Sequence, residues 1–182
     1  YFDRMLFIRS SLASLLVAIL FTLLFIKDGV KYCRPMNDAA EVRKVLVTGS
    51  AGRVGQAVVL ELLSRGHLVQ GYDRHPSPKL DNAFMADLSD TETLAKAMDG
   101  VETLVHLAAT PDDVDDVPSE LFPPNINGLY NVMETARVSG VSRIVLPSSG
   151  QVNWHRSLNG PWPIDEKALT TPKGWYAATK MF

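Results

Sequence analysis

Short, wholly apolar runs alternate along most of this chain with longer stretches in which apolar residues recur every three or four positions, the pattern of strands and helices in succession. Val45-Leu46-Val47 is apolar at every position, which suits a central parallel strand covered on both faces. Residues 56–65 then place Val58, Val59, Leu62 and Leu63 on one helical face, and Gly66 supplies the left-handed glycine that commonly ends a helix. The reading continues with a strand at 68–72, a brief one at 84–85, a helix at 91–98 closed near Asp99-Gly100, a strand at 103–107, a helix at 125–139 ended by Gly140, and a strand at 144–146. Residues 112–124, rich in acid and proline, read as a long loop. About five strands alternating with helices predict an α/β fold, a doubly wound parallel sheet with helices on both faces and right-handed crossovers between strands.

Seventeen consecutive uncharged residues, 10–26, break that pattern near the start. They reach the short end of the membrane-spanning range, about 17 to 25 residues. A cleavable signal peptide should have a shorter apolar core followed by small residues, and Lys27-Asp28-Gly29-Val30-Lys31-Tyr32 offers no such site. Residues 1–35 are therefore expected to form a hydrophobic N-terminal helix that serves as an uncleaved anchor, or else a leader upstream of a start at Met36. Arg4 and Arg9 precede the segment and Lys27, Lys31 and Arg34 follow it, which favours a cytoplasmic domain downstream. The chain opens on Tyr1 and stops at Phe182 within what reads as a helix, so a piece of a longer protein is expected.

Composition narrows the function by exclusion. With 46% hydrophobic and 21% charged residues the chain is of globular type, and its 182 residues can bury a substantial core. A net charge of −2 gives no electrostatic reason to expect nucleic acid as a partner. The single cysteine, Cys33, cannot form an internal disulfide, and no Cys/His cluster has metal-ligand spacing, so no metal is expected. His67, His75, His106 and His155 have no acid and nucleophile spaced around them as a hydrolase needs.

The first strand runs into Thr48-Gly49-Ser50-Ala51-Gly52-Arg53-Val54-Gly55, and a helix follows. Gly49, Gly52 and Gly55, with Arg53 and Val54 between them, let backbone N–H groups and the positive helix end meet a pyrophosphate. Asp73 stands at the end of the second strand, eighteen residues beyond Gly55, where a carboxylate can accept hydrogen bonds from both hydroxyls of an adenosine ribose. Together these residues predict a Rossmann-type dinucleotide-binding domain over residues 43–182, with NAD as its cofactor. NADP is less favoured, because Asp73 would repel a 2′-phosphate, although Arg74 beside it could pair with one.

The order of motifs from Arg43 to Phe182 resembles the extended short-chain dehydrogenase/reductase family, the NAD-dependent epimerases and dehydratases of nucleotide sugars and their sugar-acid dehydrogenase relatives. Besides the glycine loop, the matching pieces are Asp87-Leu88 after the third strand and His106-Leu107-Ala108-Ala109 after the fourth. Asn125-Ile126-Asn127-Gly128-Leu129-Tyr130-Asn131 matches at a helix start, and Pro163-Ile164-Asp165-Glu166 ahead of the last helix. The resemblance implies that Asp87 and Leu88 lie near the adenine and that Leu107, Ala108, Ala109 and Asn125 belong to the cofactor site. It also implies that the chain stops before a small substrate domain.

Tyr176 and Lys180 lie four residues apart, which on a helix puts both on one face. An ammonium there lowers a phenol's pKa from about 10, so Tyr176 could take a proton from a substrate hydroxyl as hydride leaves the carbon. Lys180 would also bind the nicotinamide ribose, as the resemblance implies. Ser149, aligned through Ser149-Gly150-Gln151-Val152, would hold the substrate oxygen, while Ser148 reads as structural. Asn153-Trp154 departs from the family's Tyr-Gly, and Gly150-Gln151 from the Asn-His of uronate dehydrogenases. Trp154, Trp162 and Trp175 read as packing residues more than as a platform for a sugar or base.

The expected activity is thus hydride transfer at a hydroxyl-bearing carbon of a small molecule, a sugar or nucleotide sugar, by Ser149, Tyr176 and Lys180 of the full-length protein. The piece alone is expected to be inactive, and a homodimer of the whole is compatible with the resemblance. Two other readings stay open. One is an inactive NAD-binding sensor or scaffold, and the other a membrane-anchored sterol-type dehydrogenase, suggested by residues 10–26.

Overall fold

The computed structural model describes residues 42–160 and 162–181. Five strands, β1 (Lys44–Thr48), β2 (Leu68–Asp73), β3 (Ala83–Met85), β4 (Thr103–His106) and β5 (Arg143–Val145), form one sheet in the order β3-β2-β1-β4-β5. Every pairing is parallel. Val45 lies opposite Val69 of β2 and Thr103 of β4, so β1 is the central strand. All carboxyl ends therefore share one edge, and the chain turns to opposite sides of the sheet after β1 and β4. Open α/β sheets place their ligand crevice at such a point.

Alternation along β1 feeds two cores. Leu46 packs with Tyr72, Leu94, Met98, Leu104 and Val132 on one face, while Val45 and Val47 pack with Val59, Val69 and Val105 on the other. Each fully buried side chain of this kind stabilises by about 1.5 to 3 kcal/mol, which is why the central strand carries no polar residue between Val45 and Val47.

Helix α1 (Arg53–Ser64) springs directly from the glycine loop, three residues earlier than the periodicity suggests. Val59 is buried, with Val58 and Leu62 partly so, but Leu63 is 40% exposed. One residue beyond Leu62 turns the side chain about 100° away from the sheet. The helix ends as expected: Gly66 has φ +80°, and the N–H groups of Gly66 and His67 bond to the carbonyls of Leu63 and Leu62 at 3.0 and 3.1 Å. In α2 (Thr91–Ala97), Asp90 caps the start by accepting from the Thr93 N–H at 2.9 Å.

The acid- and proline-rich stretch is not the open loop its composition predicts. Wide helical turns occupy Val117–Leu121 and Pro123–Asn127 and lead into α3 (Gly128–Val138). Pro123 and Pro124 have no N–H to give, and the bonds that bracket them skip one residue further, Phe122 to Val117 and Gly128 to Pro123. A 3₁₀ turn at Gly150–Asn153 and the helix α4 (Trp154–Asn159) follow β5, and neither has a periodicity long enough to be read from sequence. The last helix, α5, spans Trp175–Thr179, with Lys180 at its C-cap.

Ile144 and Val145 point to opposite faces of β5, yet are 41% and 47% exposed. An apolar sheet edge of this sort is normally covered by a further strand or helix. The expected anchor at 10–26 lies outside the described residues. Among those described, no helix is long and apolar enough to cross a membrane.

Candidate active site

The three glycines of the loop do different jobs. Gly49 has φ +72°, and a Cβ there would come within 2.7 Å of the Ala108 backbone nitrogen. Gly55 is buried, and a Cβ on it would run into the Gly49 carbonyl oxygen. Both positions therefore serve backbone packing between loop, helix and β4. Gly52 is different. It is exposed, it lines the cleft at the sheet edge together with Gly49, and its missing Cβ would meet only the Gly49 carbonyl, at 3.2 Å. No side chain caps α1 at Gly52, so the N–H groups of the first helical turn are not taken by a capping side chain.

Asp73 closes one wall of this cleft. Its Oδ2 accepts from the Ala51 N–H at 3.0 Å and its Oδ1 from the His75 N–H at 2.9 Å. Each carboxylate oxygen has capacity for more than one donor, so both can still take a ribose hydroxyl. Ser50 Oγ and Ser77 Oγ, 2.5 Å apart, tie the glycine loop to the segment after β2 a second time. The cleft encloses a cavity of about 150 Å³. Arg74, Asp87, Leu88, Leu107, Ala108 and Ala109 complete the expected lining.

Beneath it, the buried Tyr72 donates its O–H to the Asp87 carbonyl at 2.8 Å. Burial, and then the carboxylates of Asp90 and Asp87, push this phenol up to about 12. Asp87 is held below the usual carboxylate range, mainly by the Ser89 N–H and hydroxyl at 2.9 and 2.8 Å, with Arg74 adding to the effect.

A second, smaller cavity adjoins the first through Ala108 and Ala109, and is bordered by His106, Asn125, Thr179 and Lys180. Tyr176 is buried, and the Lys180 Nζ lies 5.8 Å from the centre of its ring. Burial lowers the Lys180 pKa. Asn125 is buried with its amide engaged inside the protein: its Oδ1 accepts from the Thr110 N–H at 2.8 Å, and its Nδ2 donates to the Thr110 carbonyl and to Thr179 Oγ1, each at 3.1 Å. Ser149 Oγ accepts from the Gln151 N–H at 3.2 Å, which leaves its own O–H able to donate. Ser148 donates to the Lys180 carbonyl at 3.2 Å.

His106 is the charge-sensitive residue of this cavity. Its Nδ1 lies 2.7 Å from Thr48 Oγ1, and burial, followed by the Lys180 ammonium, pushes its pKa from 6.5 to about 4. Between those values the unfolded chain binds a proton that the folded one refuses. The stability held in this neutral imidazole is therefore complete above its unfolded pKa and is lost as the pH falls toward the folded one, about 3 kcal/mol in all. The parent's thermal midpoint should drop more steeply than that of His106→Gln as the pH is lowered from 6.5 toward 4. Parallel curves would show that His106 does not titrate this way.

Not every residue singled out from the sequence lies in the cleft. Arg53 and Val54 are exposed on the first turn of α1 and do not line either cavity. Leu129 of the Asn125-led motif lines the second cavity. Conversely, His75, Ala86 and Pro124 line the first cavity and Leu146, Pro147 and Thr179 the second, though no motif marks them. Their signal is positional only: most follow the carboxyl end of a strand. Trp175 packs edge-on against Phe122, with ring centres 6.0 Å apart, and still remains largely exposed, as does Trp162.

Comparison with known proteins agrees with this geometry. Residues 45–182 match the model of the NAD dependent epimerase/dehydratase family, and the chain belongs to that family. Over 133 residues it is 37% identical to a 3 beta-hydroxysteroid dehydrogenase/Delta 5-->4-isomerase of Mycobacterium tuberculosis, a match covering 65% of this chain and 36% of that protein. Among solved structures, a short-chain dehydrogenase/reductase superfamily protein from Agrobacterium tumefaciens with bound NAD superposes with a TM-score of 0.68 at 35% identity, over 76% of this chain and 42% of the other. Uronate dehydrogenase from Agrobacterium tumefaciens gives a TM-score of 0.64 at 27% identity, over 78% and 53%. The chain thus spans about half or less of the length of these relatives.

Proposed function

We propose that this chain is the cofactor-binding part of an NAD-dependent oxidoreductase or epimerase/dehydratase of the extended short-chain type, with residues 43–182 as its dinucleotide-binding domain. The reading is carried by one juxtaposition: the buried Tyr176 ring has the Lys180 ammonium 5.8 Å from its centre, and Lys180 borders the cavity that adjoins the cleft walled by Gly52 and Asp73. The residues present suit NAD. Gly52 leaves room for close backbone approach, the uncapped start of α1 suits a pyrophosphate, and Asp73 suits two ribose hydroxyls. Asp87 and Leu88 would border the adenine, and Leu107, Ala108 and Ala109 the middle of the dinucleotide.

When bound, NAD+ supplies the hydride acceptor. The chain's own groups handle the proton. The Ser149 O–H donates to the substrate oxygen and holds it, Tyr176 takes the hydroxyl proton, and Lys180 favours the phenolate by charge. Asn125 acts from behind, by holding the helix turn that carries Tyr176.

The substrate is a small molecule with a secondary hydroxyl, and a sugar or nucleotide sugar is the first reading. A sterol-type substrate is the second, favoured by the identity to the hydroxysteroid dehydrogenase and by an apolar segment at 10–26 that would hold the enzyme at a membrane. A homodimer of the full-length protein belongs to the same proposal.

The test is a titration of full-length protein with NAD+ and NADP+, followed by turnover of D-glucuronate, UDP-glucose and a 3β-hydroxysteroid. NAD+ should bind more tightly, and Asp73→Ser should reduce the NAD+ preference roughly ten- to hundredfold by removing charge-assisted bonds. Equal binding of both nucleotides by the parent, or an unaltered preference in the variant, would remove Asp73 from the reading. NAD+ binding with no turnover of any of the three would favour a sensor or scaffold.

A further inference from the structure

We infer that Asp113 is a positioning residue for the acid/base tyrosine: its carboxylate reaches from the loop after β4 to cap the first turn of α5, and so sets where Tyr176 stands relative to Lys180. The inference rests on the role proposed for Tyr176. Asp113 Oδ1 accepts from the Tyr176 backbone N–H at 2.7 Å, across 63 positions of sequence. The first turn of α5 leaves backbone N–H groups that have no partner within the helix. Its N-cap position is Gly174, which has no side chain to bond the orphan N–H groups behind it. Asp113 takes over the task that a Ser, Asp or Asn at that position would ordinarily perform.

The glycine is the counterpart of the aspartate. Gly174 has φ +88°, and a Cβ there would press into the Asp113 carboxylate, with Cγ at 3.0 Å. A local cap and the distant one therefore exclude each other. The far side of the turn is fixed separately: Thr179 Oγ1 donates to the Tyr176 carbonyl at 2.8 Å, and Asn125 holds Thr179. Tyr176 is thus tied through its N–H to the loop after β4 and through its carbonyl to the Asn125 network. Without the first tie the front of the turn can swing, and a displacement of about 1 Å at a reacting group can slow a reaction on the order of a hundredfold.

The experiment separates rate from binding in full-length protein saturated with NAD+, with D-glucuronate, UDP-glucose and a 3β-hydroxysteroid as probes. Asp113→Ala should lower kcat about a hundredfold, the effect of a misplaced reacting group, while KM and NAD+ affinity stay within about twofold of the parent, because Asp113 bonds only the backbone of Tyr176. Asp113→Asn keeps an acceptor oxygen at the same place and should restore most of the parental kcat. If Asp113→Ala does not fold, Gly174→Ala displaces the same carboxylate from the other side and should give the same loss of kcat. A kcat that stays at the parental value in Asp113→Ala, or that falls alike in the Ala and Asn variants, would overturn the inference. Failure of the functional reading looks different: Tyr176→Phe would then turn over the probe substrates like the parent, whatever Asp113 does.

Discussion

Tyr176→Phe should lower turnover of the full-length enzyme by about a thousandfold, in keeping with the hundred- to ten-thousandfold contribution of a positioned acid/base group. NAD+ binding should stay within about twofold of the parent, because no large ligand contact is lost with one oxygen. The substitution is a clean one in this fold. Phe retains the buried ring beneath Lys180, and both the Asp113 and Thr179 bonds at this position involve backbone atoms, so α5 is undisturbed. Rates with the three probe substrates and a fluorescence titration with NAD+ measure the two quantities separately. A variant that turns over at the parental rate would show that the proton goes elsewhere.

The second large effect belongs to Gly55. A methyl group there meets the Gly49 carbonyl, whose carbon would be 2.8 Å away, and Ser50 Cα at 2.9 Å. All of these are main-chain atoms that cannot rotate aside. Gly55→Ala should therefore destabilise the fold by about 3 kcal/mol, at the upper end for overpacking a tight interior. Gly52→Ala makes the contrast, since its only close neighbour is the Gly49 carbonyl at 3.2 Å. It should unfold like the parent and lose about tenfold in NAD+ affinity, the effect of one disturbed contact. Thermal unfolding and nucleotide titration on the two variants separate the roles. If Gly52→Ala proved the less stable of the two, the assignment of packing to Gly55 and ligand approach to Gly52 would be reversed.

Much of this architecture is legible in the order of residues alone. The strands, the α1 stripe and the Gly66 terminus follow from periodicity and from the stereochemistry of glycine, which act over a few residues. The stretch at 117–124 misleads because acid and proline are frequent in loops, and composition cannot show that two prolines are tolerated where the helical bonds step over them. Leu63 misleads because hydrophobicity alone does not tell on which side of a stripe the neighbouring elements end.

By itself the sequence determined the fold class, the glycine loop, the acid after the second strand and the Tyr176/Lys180 spacing. These are short-range patterns whose meaning depends on backbone geometry, which is the same wherever the segment lies. The tertiary structure alone decided which glycine packs and which faces the cleft, that His106 stays neutral beside Lys180, and that Asn125 and Asp113 hold the two sides of the tyrosine's turn. Each of those depends on residues tens of positions apart meeting at the carboxyl edge of the sheet. Only the parallel crossovers bring them together, so no local pattern could carry the information.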